Sequence, residues 1–200
     1  MRKIVYLISP ESIEKDFYSK LDKVLSYGNV AFFQLRLKKF TKDKIIKIAL
    51  KVKKITKKYK VNFLLNDDYK LALKIKADGC HMGQGDGPLN IARYKLKNKI
   101  LGVTCHNSKK IANNAIIYKP DYLAFGSFYK SKLKPKAKKS NPKILKWAKK
   151  SFKNPIVVIG GINNRNYKNL IKYGAKYIAI SSYIWDNPVL EPEKAIREFK

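Results

Sequence analysis

Two cations and an amide alternate with apolar residues in Phe33-Gln34-Leu35-Arg36-Leu37-Lys38. On a strand, a period of two puts Gln34, Arg36 and Lys38 on one face and Phe33, Leu35 and Leu37 on the other. If the leucines face helices, the cations face inward, where a charge without a partner is costly. A phosphate or an internal set of carboxylates must meet them. Two further apolar runs end in acids: Leu64-Leu65-Asn66-Asp67-Asp68, and Cys80-His81-Met82-Gly83-Gln84-Gly85-Asp86. Only 14 Asp and Glu occur in the chain, so their placement at run ends is informative. Carboxylates combined with phosphate oxygens are a common way to hold Mg²⁺, which makes Asp67 and Asp86 candidate metal ligands. The alternative is that Asp67 or Asp68 caps the next helix.

Other run ends are polar too. Gly102-Val103-Thr104-Cys105-His106-Asn107 offers His106 as a base, an anion donor or a plain cap. Gly126-Ser127-Phe128-Tyr129-Lys130-Ser131-Lys132-Leu133-Lys134 begins a long basic loop that reads as a mobile phosphate clamp. Ile159-Gly160-Gly161-Ile162-Asn163 supplies glycine-rich amides, and Ile180-Ser181-Ser182 a second turn.

Elements that could position these groups alternate along the chain. Short β-branched runs read as strands at Ile4–Ile8, Val30–Leu37, Val61–Leu65, Gly79–Met82, Ile100–Thr104, Tyr122–Phe125, Pro155–Ile159 and Tyr177–Ile180. Helical spacing fills the gaps at Ile13–Tyr27, a segment after a Thr41 cap, Tyr69–Ile75, Leu89–Leu96, Ser108–Tyr118, Lys143–Lys150 and Asn166–Tyr173, with Pro192–Phe199 at the end. Eight strand–helix pairs imply a parallel sheet, either a closed (β/α)₈ barrel or a doubly wound sheet. In a barrel, working groups belong at the C-terminal ends of the strands, where every polar run end falls. Glycine amides after the seventh strand and the turn after the eighth form the usual barrel phosphate site.

Composition bounds the rest. With 200 residues, no linker and no shift in composition, residues 1–200 read as one domain. No apolar run approaches the roughly 20 residues of a membrane helix, and the N-terminal apolar stretch meets Ser9-Pro10 too soon for a secretory signal. Two cysteines exclude a disulfide scaffold and suit a reducing cytoplasm. The net charge of +31 suggests nucleic acid at first sight. Lysines are spread along the whole chain, however, with only five arginines and no nucleic-acid motif. A lysine-rich bias on solvated helix faces accounts for the charge, and nucleic acid is disfavoured as a partner.

In this order the segments resemble the thiamine phosphate synthase family, over nearly the whole chain. The strongest pieces are Gln34-Leu35-Arg36-Leu37-Lys38, Leu65-Asn66-Asp67, Ala77-Asp78-Gly79-Cys80-His81-Met82-Gly83-Gln84 with Asp86, Gly102-Val103-Thr104-Cys105-His106 and Ile159-Gly160-Gly161-Ile162. The resemblance implies a (β/α)₈ barrel. It also implies an Mg²⁺-dependent transferase that joins hydroxymethylpyrimidine diphosphate to a thiazole phosphate and releases pyrophosphate. On matching positions it implies that Gln34 contacts the pyrimidine, Arg36 and Lys38 hold the diphosphate, and Asn66 lies beside it. Asp67 and Asp86 become metal ligands. Thr104 sits near the pyrimidine and diphosphate, while Gly161, Ile180 and Ser181 cradle the thiazole phosphate. One loop departs from the family, which has Pro-Thr-x-Thr-Lys where this chain has Lys130-Ser131-Lys132-Leu133-Lys134. Ser131 keeps a hydroxyl and Lys134 a cation, but Leu133 replaces a hydroxyl.

The implied chemistry is a dissociative substitution: neutralised diphosphate leaves, the aminopyrimidine stabilises a methylene cation, and the thiazole nitrogen captures it. Cys80 and Cys105 are structural in this reading. Three rivals remain: a thiazole tautomerase of the same superfamily, using a base such as His106; a degenerate phosphate-binding barrel; and a basic nucleic-acid-binding protein. The sequence leaves a monomer and a homo-oligomer both open.

Overall fold

A computed structural model describes residues 3–130 and 140–200. Eight parallel strands close into a barrel in chain order: β1 (Val5–Ile8), β2 (Val30–Leu35), β3 (Asn62–Asn66), β4 (Gly79–Met82), β5 (Ile100–His106), β6 (Tyr122–Gly126), β7 (Ile156–Ile159) and β8 (Tyr177–Ile180). Pairing of β8 with β1 completes the circle, which selects the barrel over the doubly wound sheet. The helices are α1 (Phe17–Ser26), α2 (Lys42–Lys58), α3 (Tyr69–Lys74), α4 (Leu89–Leu96), α5 (Lys109–Ile116), α6 (Lys143–Ser151), α7 (Tyr167–Lys172), α8 (Ser182–Trp185) and α9 (Pro192–Ala195). No helix among the described residues is long and apolar enough to cross a membrane.

Strand alternation sorts side chains into two apolar layers. Val5, Leu7, Phe33, Leu35, Phe63, Leu65, Leu123, Phe125 and Val158 pack outward with Leu21, Val24, Val52 and Leu145 from the helices. Tyr6, Ile8, Phe32, Leu64, Tyr122, Ala124, Val157 and Ala179 fill the lumen. The lumen is therefore closed by side chains, and a ligand has access at the mouth alone. Gln34 follows Phe32 inward by the same period and is 3% exposed. Cys80 and Cys105 point outward as buried free thiols. Burial pushes both thiols up, Cys105 to about 12, so neither is a nucleophile at neutral pH.

Several boundaries differ from the sequence reading. The first helix starts at Phe17 rather than Ile13, after a turn in which Glu14 C=O accepts the Phe17 N–H. Strand β2 ends at Leu35, so Arg36 and Lys38 stand on the loop beyond it rather than within the sheet. Just beyond the sheet, Arg36 N–H donates to the Ser9 side chain, Oγ, at 3.0 Å. The final helix breaks after Ala195 into a 3₁₀ turn, Ile196–Glu198. Asn29 Nδ2 donates to the carbonyls of Ile196 and Phe199 there, at 3.1 and 2.8 Å, fastening the turn beneath the start of β2. Helix α8 was not evident in the sequence. Trp185 anchors it by donating Nε1–H to Ile8 C=O at 2.7 Å.

Candidate active site

The C-terminal ends of β1 to β5 bring most of the proposed site residues to one rim. Both loop cations already have carboxylate partners. Arg36 Nη1 lies 3.6 Å from Glu11 Oε1, and Lys38 Nζ lies 3.2 Å from Asp67 Oδ2. Sequence reading left open whether phosphate or carboxylates meet these cations; Glu11 and Asp67 pair with them here. Glu11 carried no signal in the sequence, since it lies in the irregular segment between β1 and α1.

The two neighbouring acids after β3 separate into different roles. Asp68 is the cap: its Oδ1 accepts the Leu71 N–H at 2.8 Å, and its carboxylate pairs with Lys42 at 3.0 Å. Asp67 caps nothing. Its backbone is left-handed (φ 68°), and its N–H donates to His81 C=O at 2.8 Å, which turns the side chain towards the β4 loop. Burial first, and then the facing Asp86 carboxyl, raise Asp67 above its ordinary 3.8, against the pull of Lys38. Asp86 is itself positioned, because its Oδ2 accepts the Gly83 N–H at 2.6 Å. Two facing carboxyls in which one holds its proton unusually well form a site short of positive charge. Among the described residues no group of three or more His, Cys, Asp or Glu gathers. The protein thus offers two oxygen-donor side chains, a set that suits Mg²⁺ completed by phosphate oxygens and water. Asn66 ends β3 beside them, half-buried; a cavity of about 200 Å³ lies on the helix side of these strands, lined by Leu35, Leu37, Phe40, Ile45, Leu65 and Leu71, and reaches the rim at Lys38, Asn66 and Asp67.

Beneath the rim, five polar side chains cross the lumen. Gln34 Nε2 donates to Tyr6 Oη at 2.9 Å, and Tyr6 Oη lies 2.7 Å from Tyr122 Oη. Tyr122 Oη lies 2.8 Å from His81 Nδ1, and His81 Nε2 lies 2.7 Å from Thr104 Oγ1. The His81 and Tyr122 rings stack within 10° of parallel. Tyr122 reaches His81 by lying over β5 at Gly102, where a methyl group would collide with its ring. Burial lowers His81 to about 4 and raises both phenols, so all five groups are neutral at pH 7. Gln34 and Thr104 were candidates from sequence; Tyr6, Tyr122 and His81 were not. Strand period could have placed His81 and Tyr122 inward, but contact between them depends on barrel closure. His106 is exposed at the end of β5 and takes no part in this chain.

The remaining candidates lie after β7 and β8. Gly160 and Gly161 both have positive φ, 106° and 61°. A side chain at Gly161 would strike Lys130 C=O and Tyr129, so the turn after β7 and the exit of β6 pack backbone to backbone. Ser181 Oγ donates to Ser9 C=O at 3.1 Å. The Ile180 side chain packs outward and is 3% exposed, so only its backbone faces the mouth. Ser131, Leu133 and Lys134, and the proposed clamp that contains them, lie outside the described residues. A crevice of about 430 Å³ lined by Lys149, Lys153 and Lys176 lies at the opposite end of the barrel, by the start of β7. None of the rim groups reaches it.

Known proteins resemble the chain over nearly its whole length. A profile described as thiamine monophosphate synthase matches residues 5–184. The thiamine-phosphate synthase of Pelagibacter ubique (strain HTCC1062) is 52% identical over 200 residues, covering 100% of this chain and 97% of that protein. The thiamine-phosphate synthase of Erythrobacter litoralis (strain HTCC2594) is 37% identical over 186 residues, covering 90% and 87%. Among solved structures, the thiamine phosphate pyrophosphorylase from Pyrococcus furiosus superposes with a TM-score of 0.87 at 26% identity, covering 98% of this chain and 93% of that one. With a match of this length to the profile and relatives this close, the chain belongs to the thiamine monophosphate synthase family.

Proposed function

We infer that this chain, acting as a single domain, is a thiamine phosphate synthase. It joins 4-amino-5-hydroxymethyl-2-methylpyrimidine diphosphate to a thiazole phosphate and releases pyrophosphate. The observation that carries this reading is the meeting of Lys38, Asp67 and Asp86 at one rim, with Arg36 beside them. Such a rim suits a diphosphate held through a metal far better than a site that only moves a proton.

Asp67 and Asp86 would hold Mg²⁺. Bound there, the ion supplies positive charge to the diphosphate as it leaves. Arg36 offers a planar fork to two phosphate oxygens, and Lys38 and Lys134 offer point charges. Gln34 and Thr104 orient the pyrimidine, Asn66 and Ser131 hold its diphosphate arm, and Gly161, Ile180 and Ser181 cradle the thiazole phosphate. The bond between the methylene carbon and the diphosphate oxygen breaks, and its electron pair leaves with pyrophosphate. The thiazole nitrogen then gives its lone pair to the methylene carbon, forming the new C–N bond. No protein nucleophile is required, so catalysis consists of orientation and charge stabilisation.

The test is mass-spectrometric detection of thiamine phosphate from purified protein with both substrates and Mg²⁺. Product that vanishes in excess chelator and returns with Mg²⁺ supports the assignment. Isomerisation of a thiazole phosphate with no coupled product would replace it with the tautomerase reading.

A further inference from the structure

Ser9 follows β1 and is only 3% exposed, so its polar atoms need partners within the protein. Its N–H donates to Gln34 C=O at 2.9 Å. In a parallel ladder, a residue that donates to position 34 accepts, through its own carbonyl, from the N–H of position 36. Here the side chain takes that place: Ser9 Oγ accepts the Arg36 N–H at 3.0 Å. The same hydroxyl lies 3.1 Å from Pro10 C=O and 3.4 Å from Arg36 C=O, so both backbone groups of Arg36 face it. The Ser9 carbonyl turns to the other side of the strand and accepts from Ser181 Oγ at 3.1 Å. One residue back, Ile8 C=O accepts from Trp185 Nε1–H at 2.7 Å. Residues beyond β8 thus hold the end of β1 from one side, while Ser9 holds Arg36 on the other.

The Arg36 side chain is held less firmly than its backbone. Its carboxylate partner, Glu11, is 3.6 Å away and about half exposed. The starting point of the side chain, just beyond β2, is what the fold fixes. We propose that Ser9 is a positioning residue, whose hydroxyl replaces a ladder rung and sets the backbone from which Arg36 reaches a diphosphate. This rests on the assignment of Arg36 to the diphosphate made above. Without the hydroxyl, Arg36 N–H must turn to the Ser9 carbonyl, which already accepts from Ser181, or stay unpaired. Either outcome moves the guanidinium relative to Lys38 and Asp67. A planar fork has to meet two phosphate oxygens at once, so a small displacement forfeits one of its bonds.

Calorimetric titration of the full-length protein with pyrophosphate in Mg²⁺ tests this, beside single-turnover formation of thiamine phosphate. Ser9→Ala should weaken pyrophosphate binding about tenfold and slow turnover by a similar factor. In an Arg36→Ala background the same substitution should change binding by less than about twofold, because Ser9 acts through Arg36. Ser9→Thr keeps the hydroxyl and should restore binding. Ser9→Val has the same shape without the hydroxyl and should not. If the alanine variant folds poorly, the difference between the threonine and valine variants carries the test, and it too should vanish in the Arg36→Ala background. Equal losses in both backgrounds, or a lower melting temperature with normal pyrophosphate binding, would make Ser9 merely structural and overturn the proposal. Thiamine phosphate formed at the wild-type rate by Ser9→Ala would overturn this inference alone. The expected binding pattern without thiamine phosphate from wild type would leave it standing and sink the functional assignment. Wild type that binds no pyrophosphate would sink both.

Discussion

Lys38 Nζ and Asp67 Oδ2 lie 3.2 Å apart, so a cation suited to diphosphate and a carboxylate suited to metal neutralise each other before either ligand arrives. Under the proposed assignment, metal taken up by Asp67 and Asp86 would free Lys38 for phosphate oxygens.

Lys38→Ala should therefore have opposite effects on the two ligands. Exposed ion pairs contribute about 0.2–1 kcal/mol, so Mg²⁺ binding to the otherwise ligand-free protein should tighten by up to about fivefold. Pyrophosphate binding should weaken. Calorimetric titration checks both, and a loss of Mg²⁺ affinity would show that Lys38 does not compete for Asp67.

Arg36→Ala should lower single-turnover formation of thiamine phosphate by about 10²–10³. The loss belongs in the chemical step, since charge on the departing oxygens grows as the bond breaks. Apo stability should change by no more than about 1 kcal/mol, because the pair with Glu11 is wide and Glu11 is largely exposed. An unfolded variant, or one with normal turnover, would move the diphosphate site elsewhere.

Asp67→Asn should stabilise the metal-free protein at neutral pH while abolishing metal-dependent turnover. In the folded chain this carboxyl holds its proton more tightly than its ordinary value of 3.8 would allow. Stability from Asp67 is thus fully present below 3.8 and is lost as pH rises through the raised value. Asparagine mimics the protonated form and suits the left-handed backbone. The gain in melting temperature should be a few degrees near pH 7 and should vanish below pH 3.8. A variant that melts lower than wild type at pH 7 would contradict the electrostatic account.

Lys60→Gly should stabilise the barrel by about 0.5–1 kcal/mol, or roughly 1–4 °C in melting temperature. Lys60 is exposed and left-handed (φ 52°) just after α2, where glycine commonly ends a helix. Its carbonyl accepts from Lys3 at 2.9 Å, a backbone contact that glycine keeps. Thermal unfolding of the two proteins decides it.

Lysine at this helix end is one reason the sequence was only partly legible. Strands Gly79–Met82 and Tyr177–Ile180 and helix Leu89–Leu96 fall where alternation and spacing put them. Their ends are marked by local chemistry, so local reading sufficed. Strand β2 stops two residues early because Arg36 N–H turns to the Ser9 side chain, a partner 27 residues away. The last helix breaks where Asn29, 167 residues earlier in the chain, holds the carbonyls of Ile196 and Phe199. The same distinction governs the site. Arg36, Lys38, Asp67 and Asp86 sit at strand exits, which a linear reading can find. Tyr6 and Tyr122 look like core aromatics in sequence, since only closure of the barrel joins their hydroxyls to Gln34 and His81. Glu11 had no pattern to reveal it.

Single-turnover stoichiometry tests the central claim most directly. Protein in excess would be mixed with pyrimidine diphosphate, thiazole phosphate and Mg²⁺, and pyrophosphate and thiamine phosphate measured together over time. Both should rise at one rate and in equal amounts, with neither formed when one substrate is withheld. Isomerised thiazole phosphate without pyrophosphate, or no reaction with both substrates bound, would contradict the account.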